Sequence, residues 1–79
     1  MSFQAIQWAM EQRVGSGYLK ATLVALATSY DGRPVHRKQL AIETGLAVYT
    51  ISRHFKLLEA LGFISKTRGY ASPKMEASS

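Results

Sequence analysis

Residues 40–64, LAIETGLAVYTISRHFKLLEALGFI, constrain the fold more than any other part of this chain. Two helix-like segments flank a short turn that carries Gly45, and a glycine there can adopt the positive φ that a tight turn requires. A small residue at Ala41 lets two helices cross closely, and Ile51 returns the second helix to the core. Three such residues at this spacing predict a helix-turn-helix, a motif that usually places its second helix in the DNA major groove.

The length and composition describe one small domain. The chain has 79 residues, of which 47% are hydrophobic, enough for one core. No apolar run approaches the roughly 20 residues that span a bilayer. The N-terminus lacks the pattern of a signal peptide, and there is no cysteine. These features predict a cytoplasmic protein without disulfides, with a domain over residues 1–70 and a flexible tail over residues 71–79.

The positive charge is concentrated in one half of the chain. The formal net charge is +5, and residues 1–32 balance two basic against two acidic side chains. Residues 33–74 carry eight lysines and arginines against two glutamates, a net charge of +6. This excess coincides with the predicted helix-turn-helix, as expected for a protein with a polyanionic partner. A basic surface kept for solubility is the alternative interpretation.

Helical spacing predicts a first helix over about residues 2–12. Ser2 is its predicted cap, and Phe3, Ile6 and Met10 form its apolar stripe. Trp8 lies off that stripe, where it would either pack on the domain or meet another subunit. Residues 3–10 are therefore the predicted surface for a possible homodimer.

Three further helices are predicted, over about residues 18–30, 37–44 and 47–61. The first of them is the central core helix, whose buried face comprises Leu19, Leu23, Leu26, Ala27 and Tyr30. Ser16 and His36 stand at the cap positions of the helices that follow them. Gly62 ends the last helix, as glycine often does.

The remaining segments predict a small sheet. Residues 31–34, Asp-Gly-Arg-Pro, have turn chemistry, and Val35 forms a strand of one or two residues. Residues 63–67 have strand composition, and residues 68–70 turn this strand into a brief hairpin. The predicted sheet pairs Val35 with the strand of residues 63–67. The predicted fold is mainly α: a winged helix-turn-helix with three to four helices plus a short β-hairpin wing.

The last predicted helix separates an apolar face from a polar one. With Ile51 placed at zero and about 100° per residue, Val48, Phe55 and Leu58 fall within about 60° of it. Tyr49, Arg53 and Lys56 fall within about 40° of the opposite pole, flanked by Thr50 and Ser52. This outward face carries donors and acceptors that suit base edges and phosphates.

The predicted DNA-contacting residues are Arg37, Lys38, Ala47, Val48, Tyr49, Thr50, Ser52, Arg53, Lys56, Lys66 and Arg68. Arg53 is the candidate for direct readout, because its planar fork matches guanine O6 and N7. Tyr49 and Thr50 lie at the end of the helix that enters the groove, and Ala47 and Val48 suit a thymine methyl group. The other six suit phosphates, with Lys66 and Arg68 reaching the neighbouring minor groove or backbone. The alternative is that all are ordinary exposed residues.

Four more residues of this region have simple structural interpretations. Leu57 and Leu61 are predicted to contact the helix of residues 18–30 or the first helix. His54 is either a boundary residue with one hydrogen bond or, less simply, a phosphate contact or pH-sensitive switch. Ile42 is predicted to point outward, where it is either unremarkable or part of a partner surface.

The residue types of an active site are missing. Ser52 and His54 diverge by about 160–200° around the predicted helix, so they do not form a nucleophile and base. No phosphate-binding loop is present, and His36 and His54 have no cysteine or carboxylate cluster beside them. The sequence predicts neither an enzyme nor a metal site, and no cofactor.

The segment ISRHFKLLEALGFI, residues 51–64, resembles the recognition helix and following strand of many bacterial winged-helix repressors. Together with SFQAIQWAMEQ and GSGYLKATLVALATSYDG, it makes the chain similar to small phage and plasmid helix-turn-helix proteins. These are related to the DNA-binding domains of replication initiators of the phage lambda O type. The resemblance covers about residues 2–68.

The resemblance implies a winged helix, sequence-specific binding of double-stranded DNA, no cofactor, and often a dimer. By match to the family's recognition helix, residues 47–56 hold the DNA contacts. Metal sensing is not carried over, because this chain lacks the Cys or His clusters of the metal-sensing repressors. The predicted function is a transcriptional regulator or replication-control protein. The alternative is a winged helix that serves as a protein–protein interaction module in a larger complex.

Overall fold

Four helices and three short strands make up residues 3–75, the part of the chain that the computed structural model describes. In chain order they are α1 (Phe3–Glu11), α2 (Gly17–Ser29), β1 (Val35–His36), α3 (Arg37–Thr44), α4 (Val48–Ala60), β2 (Ile64–Thr67) and β3 (Tyr70–Pro73). The mainly helical class with a small antiparallel sheet confirms that part of the prediction. None of the helices in this part of the chain combines the length and apolar character that a bilayer crossing requires.

Local signals set the helix ends where the sequence predicts them. Ser16 precedes α2, and its Oγ accepts a hydrogen bond from the Leu19 N–H at 3.4 Å. His36 precedes α3, and its Nδ1 accepts a hydrogen bond from the Lys38 N–H at 3.1 Å. Gly45 follows α3 with φ 76°, the left-handed conformation that closes a helix and allows the tight turn into α4.

The buried face of α1 differs from the predicted stripe. Ala5, Trp8 and Ala9 are buried, whereas Phe3 and Met10 are 81% and 65% exposed. The stripe of Phe3, Ile6 and Met10 is therefore wrong. α1 packs against α2, and two alanines on the contacting face allow the close approach that larger side chains would block. Ser2, the predicted cap, lies outside the described residues.

One continuous core joins the helices to the inner face of the sheet. α2 contributes Leu23, Leu26 and Ala27, while the predicted Leu19 and Tyr30 pack half-buried beside them. The fully buried members of the rest of the core include Leu40, Ile51, Phe55, Leu58 and Ile64. Each such side chain contributes about 1.5–3 kcal/mol through removal from water. The face of α4 predicted to be buried is the face that anchors it, with Val48 half-buried at its edge.

The sheet has the order β1-β3-β2, with all pairs antiparallel. Val35 therefore lies opposite Ala71 of β3, and the predicted pairing of Val35 with the strand of residues 63–67 is wrong. β3, the second strand of the hairpin, lies in the middle of the sheet and pairs with β1 on one edge and with β2 on the other. Residues 71–73 lie in β3, so the predicted boundary between domain and tail at residue 71 is wrong, and residues 76–79 lie outside the described residues.

A two-residue turn joins β2 to β3. Thr67 pairs with Tyr70, which leaves Arg68 and Gly69 between the strands. Both have positive φ, 51° at Arg68 and 85° at Gly69, as a type I′ hairpin turn requires. Glycine adopts this conformation freely, but a residue with a Cβ pays about 1–2 kcal/mol for it. Arg68 therefore holds its place at the tip at some cost in stability.

Gly69→Ala is expected to lower the free energy of unfolding by about 1–2 kcal/mol, the cost of a left-handed alanine. The added Cβ would also lie 3.2 Å from His36 Nε2, so the His36 ring would have to move by a few tenths of an ångström. Gly17→Ala is the control, because Gly17 lies in the first turn of α2 with open space around it. That change should leave stability equal or raise it by up to about 1 kcal/mol. Urea denaturation of both variants measures the difference, and equal losses would contradict the assignment of the turn.

Candidate functional site

α4 presents a polar face to solvent opposite its buried one. Tyr49 is 65% exposed, and Arg53 and Lys56 are also exposed. The Arg53 guanidinium carbon lies 5.9 Å from the centroid of the Tyr49 ring, one helical turn away. Such an exposed cation–π contact is worth about 0.5–1 kcal/mol and limits the orientations of both side chains. The three side chains that were predicted to face away from the core therefore do so together.

The first turn of α4 offers backbone donors as well as side chains. Ala47, the exposed N-cap residue, makes no side-chain capping bond. The N–H groups of the first turn of a helix have no partner within the helix, so they can donate to an anion that approaches it. Thr50 is half-buried and lines a groove of about 210 Å³ with Tyr18, Leu19 and Arg53 among others. The exposed surface of α4 thus continues onto the start of α2.

Arg37 joins α3 to α4 and to the hairpin turn. Its backbone N–H donates to the Gly69 carbonyl at 2.8 Å, and its Nη1 donates to Ser52 Oγ at 2.8 Å. Arg37 and Ser52, which were predicted as separate phosphate contacts, therefore bond to each other. Arg37 Nε is shielded from solvent without a hydrogen-bond partner among the described residues, a condition that costs about 1–3 kcal/mol.

The other predicted cations lie on α3 and on the hairpin. Lys38 is exposed in the first turn of α3, and Arg68 is exposed at the tip of the hairpin. Lys66 lies two residues from the buried Ile64, so both are on the inner face of β2, and Lys66 is half-buried. Together with Lys56 it borders a small cleft between α4 and the hairpin. Arg37, Lys56 and Lys66 thus line one cleft, and Lys38 and Arg68 are not among its lining residues.

The two leucines at the end of α4 are more exposed than predicted. Leu57 and Leu61 are 47% and 55% exposed, so contact with α2 or α1 does not cover them. Leu57 lines part of the groove that Tyr18 and Leu19 form with α4. Ile42 is exposed on α3, which agrees with its predicted outward direction. These apolar side chains remain available on the surface.

His54 makes one hydrogen bond to a residue that the sequence did not suggest. Its Nδ1 lies 2.7 Å from Oγ1 of Thr22, a side chain buried on α2. This contact supports the simpler interpretation of His54 as a boundary residue. Burial lowers the pKa of His54 below its ordinary value of 6.5, and the positive charge of Arg53 lowers it further. The one available signal for Thr22 was its helical spacing, three residues after Leu19 and four before Leu26.

The acidic side chains near the middle of the chain are held in contacts of their own. Glu43 on α3 accepts hydrogen bonds from Ser29 and, at 3.4 Å, from Gln39. Asp31 pairs with Arg33 at 3.4 Å, and the Arg33 backbone N–H lowers the pKa of Asp31, followed by the Arg33 side chain. No group of three or more His, Cys, Asp or Glu among residues 3–75 could hold a metal ion.

No protein-family model, curated protein or solved structure matches this chain. The family resemblance therefore stays a prediction from the quoted segments. The interpretation of the site depends on the geometry of α3, α4 and the β2–β3 hairpin.

The stability of the fold should depend on the protonation of His54. Because burial lowers its pKa, the unfolded chain takes up a proton more readily, so the free energy of unfolding falls as the pH drops below about 6.5. His54→Gln removes this titration while leaving His36 and every carboxylate in place. The variant should therefore lose less stability than the wild type between about pH 7 and pH 5. Urea denaturation across that range tests this, and parallel profiles would contradict it.

Proposed function

We propose that the chain is a winged helix that binds double-stranded DNA sequence-specifically, with α4 as recognition helix and the β2–β3 hairpin as wing. The observation that carries this proposal is the division of α4 into two faces. Ile51, Phe55 and Leu58 are buried, and Tyr49, Arg53 and Lys56 face solvent. A major groove about 12 Å wide admits one such helix. The corresponding role is transcription regulation or replication control of the phage or plasmid type that the sequence resembles.

Within this proposal α4 reads the bases. Arg53 donates its two parallel N–H groups to guanine, and its contact with Tyr49 restricts it to the outward side of the helix. Tyr49 and Thr50 lie in the first turn, the end that enters the groove in helix-turn-helix proteins. Ala47 is exposed next to them and suits a thymine methyl group, whereas Val48 offers only part of its surface.

The cations around α4 hold the DNA backbone. Lys38 at the start of α3 and Arg68 at the tip of the hairpin lie on different elements, so they are placed for phosphates at separate points of the duplex. Arg68 adopts its left-handed conformation at some cost, although asparagine or glycine would form the same turn with less strain. This choice of residue supports a role for the charge at the tip.

Binding to a random duplex pool at several salt concentrations tests the general proposal. About four to six phosphate contacts should give a slope near −4 to −5 in a plot of log K against log salt concentration. A duplex selected from the pool should then bind more tightly than the pool itself. If the chain binds neither the random pool nor any duplex selected from it, α4 does not recognise DNA. The alternative of a protein–protein interaction module would then account for the exposed Ile42 and Leu61.

Arg53→Ala and Arg53→Lys test the readout assignment on the selected duplex. Both should lose about 1–3 kcal/mol of discrimination between the preferred base pair and its substitutes. The lysine variant should keep its affinity for the random pool, because it keeps the charge and loses only the planar fork. Arg33→Ala removes the same charge from the loop before β1 and should leave base preference unchanged. Electrophoretic mobility shifts with single-base variants give the comparison, and unchanged discrimination in Arg53→Ala would refute the assignment.

We also propose a homodimer through the outer face of α1. Phe3 and Met10 are seven residues apart, about two helical turns, and both are largely exposed. A truncation of residues 3–10 would remove Ala5, Trp8 and Ala9 from the core, so point variants are the better probe. Phe3→Ser with Met10→Ser should convert a dimer to a monomer in light scattering. Ile42→Ser, a matched loss of exposed apolar surface on α3, should not. A monomeric wild type would refute the dimer.

A further inference from the structure

We propose that Arg37, Lys56 and Lys66 form a single binding site for one phosphate group, in the cleft between α4 and the β2–β3 hairpin. The source of the phosphate rests on the proposed function, since the DNA backbone would supply it. Free inorganic phosphate presents the same chemistry. The site itself is defined by side chains that converge from three elements.

The cleft has the size and the lining of an oxyanion site. Its volume is about 60 Å³, which is enough for a small oxyanion. The residues that line it are Arg37, Ser52, Phe55, Lys56, Lys66 and Gly69. Three of them are cationic and none is acidic. An anion in the cleft would therefore meet positive charge from α3, α4 and β2 at once.

The Arg37 guanidinium is fixed before any ligand arrives. Ser52 Oγ accepts from its Nη1 at 2.8 Å, and the Arg37 backbone N–H is bonded to Gly69. Its Nε lies beside Gly69, where an added Cβ would be 3.4 Å away, and it is shielded without an acceptor in the described part of the chain. A guanidinium held in one orientation loses little entropy on binding phosphate, and its donors prefer the paired geometry of an oxyanion.

The position of Lys66 along β2 brings it to the same cleft. Lys66 lies on the face of β2 that carries the buried Ile64, and it borders the cleft with Phe55. Lysine stems lie along apolar surface while the ammonium reaches a polar region, and the half-buried Lys66 beside Phe55 has the surroundings that such a stem requires. Lys56 of α4 also lines the cleft and adds a third cation.

This arrangement differs from three independent backbone contacts. Three cations that line one small cleft can share a single phosphate, whose negative charge attracts all of them. The bound anion would then fix the hairpin against α4, which sets the distance between the two DNA-contacting elements. The consequence is that loss of either lysine should weaken binding of the same anion.

Titration of the full chain with sodium phosphate, followed by amide NMR, tests the site without DNA. Sodium chloride at equal ionic strength is the control. Saturable shifts confined to amides around Ser52, Lys66 and Gly69 are expected. Lys56→Gln and Lys66→Gln should each raise the Kd for phosphate roughly tenfold, the loss of one charge-assisted hydrogen bond. Lys74→Gln, an equal loss of charge at an exposed residue outside the cleft, should leave it unchanged. Shifts that do not saturate, or that chloride reproduces, would overturn the site.

Affinity for the selected duplex in the same three variants identifies the source of the phosphate. If phosphate saturates the cleft and both cleft variants lose duplex affinity, the ligand is a backbone phosphate. If phosphate saturates the cleft and no duplex binds, the site stands and the proposed function fails. If duplex binding persists while phosphate does not saturate the wild type, the proposed function stands and the single site is refuted. The two lysine variants keep the test independent of Arg37, whose removal would also break its bonds to Ser52.

Discussion

Burial of one face of α4 is the interaction on which the rest of the site depends. Ile51, Phe55 and Leu58 are fully or almost fully buried, each worth about 1.5–3 kcal/mol. Because an α-helix turns about 100° per residue, anchoring these positions leaves no freedom in the direction of Tyr49 and Arg53. The polar face of α4 is thus a consequence of the core. A change in the core that let α4 rotate would move the whole surface at once.

Arg37 helps to hold the hairpin in its position relative to α4, because it bonds to both. A hairpin of two four-residue strands has little stability of its own, and its tip is tied to the helices through the bond from Arg37 to Gly69. The guanidinium continues the connection to Ser52 on α4. The unpaired Nε is a local cost that the fold tolerates. The cleft beside Arg37 is lined by three cationic residues and no acidic one, which is why it is better explained as a binding site than as a packing defect.

Features that depend on neighbouring residues could be predicted from the sequence. Features that depend on contacts between distant parts of the chain could not. Ser16, His36 and Gly45 act within a few residues of their positions, so the caps and the turn were predictable. The face of α1 was not, because packing against the distant α2 decides that Ala5, Trp8 and Ala9 are buried in place of the predicted stripe. The order of the strands depends on which edge of the hairpin meets β1, and no local signal encodes it. The bond between Thr22 and His54 joins residues 32 positions apart.

The same distinction separates the cations of the candidate site. The outward direction of Arg53 follows from helical periodicity, so the sequence of α4 alone predicts it. The convergence of Arg37, Lys56 and Lys66 requires the hairpin to fold back beside α4, with Lys66 on the inner face of β2. A list of basic residues treats all of them as equal phosphate contacts. The geometry instead separates cations that lie outside the cleft, such as Lys38 and Arg68, from the three that line it together.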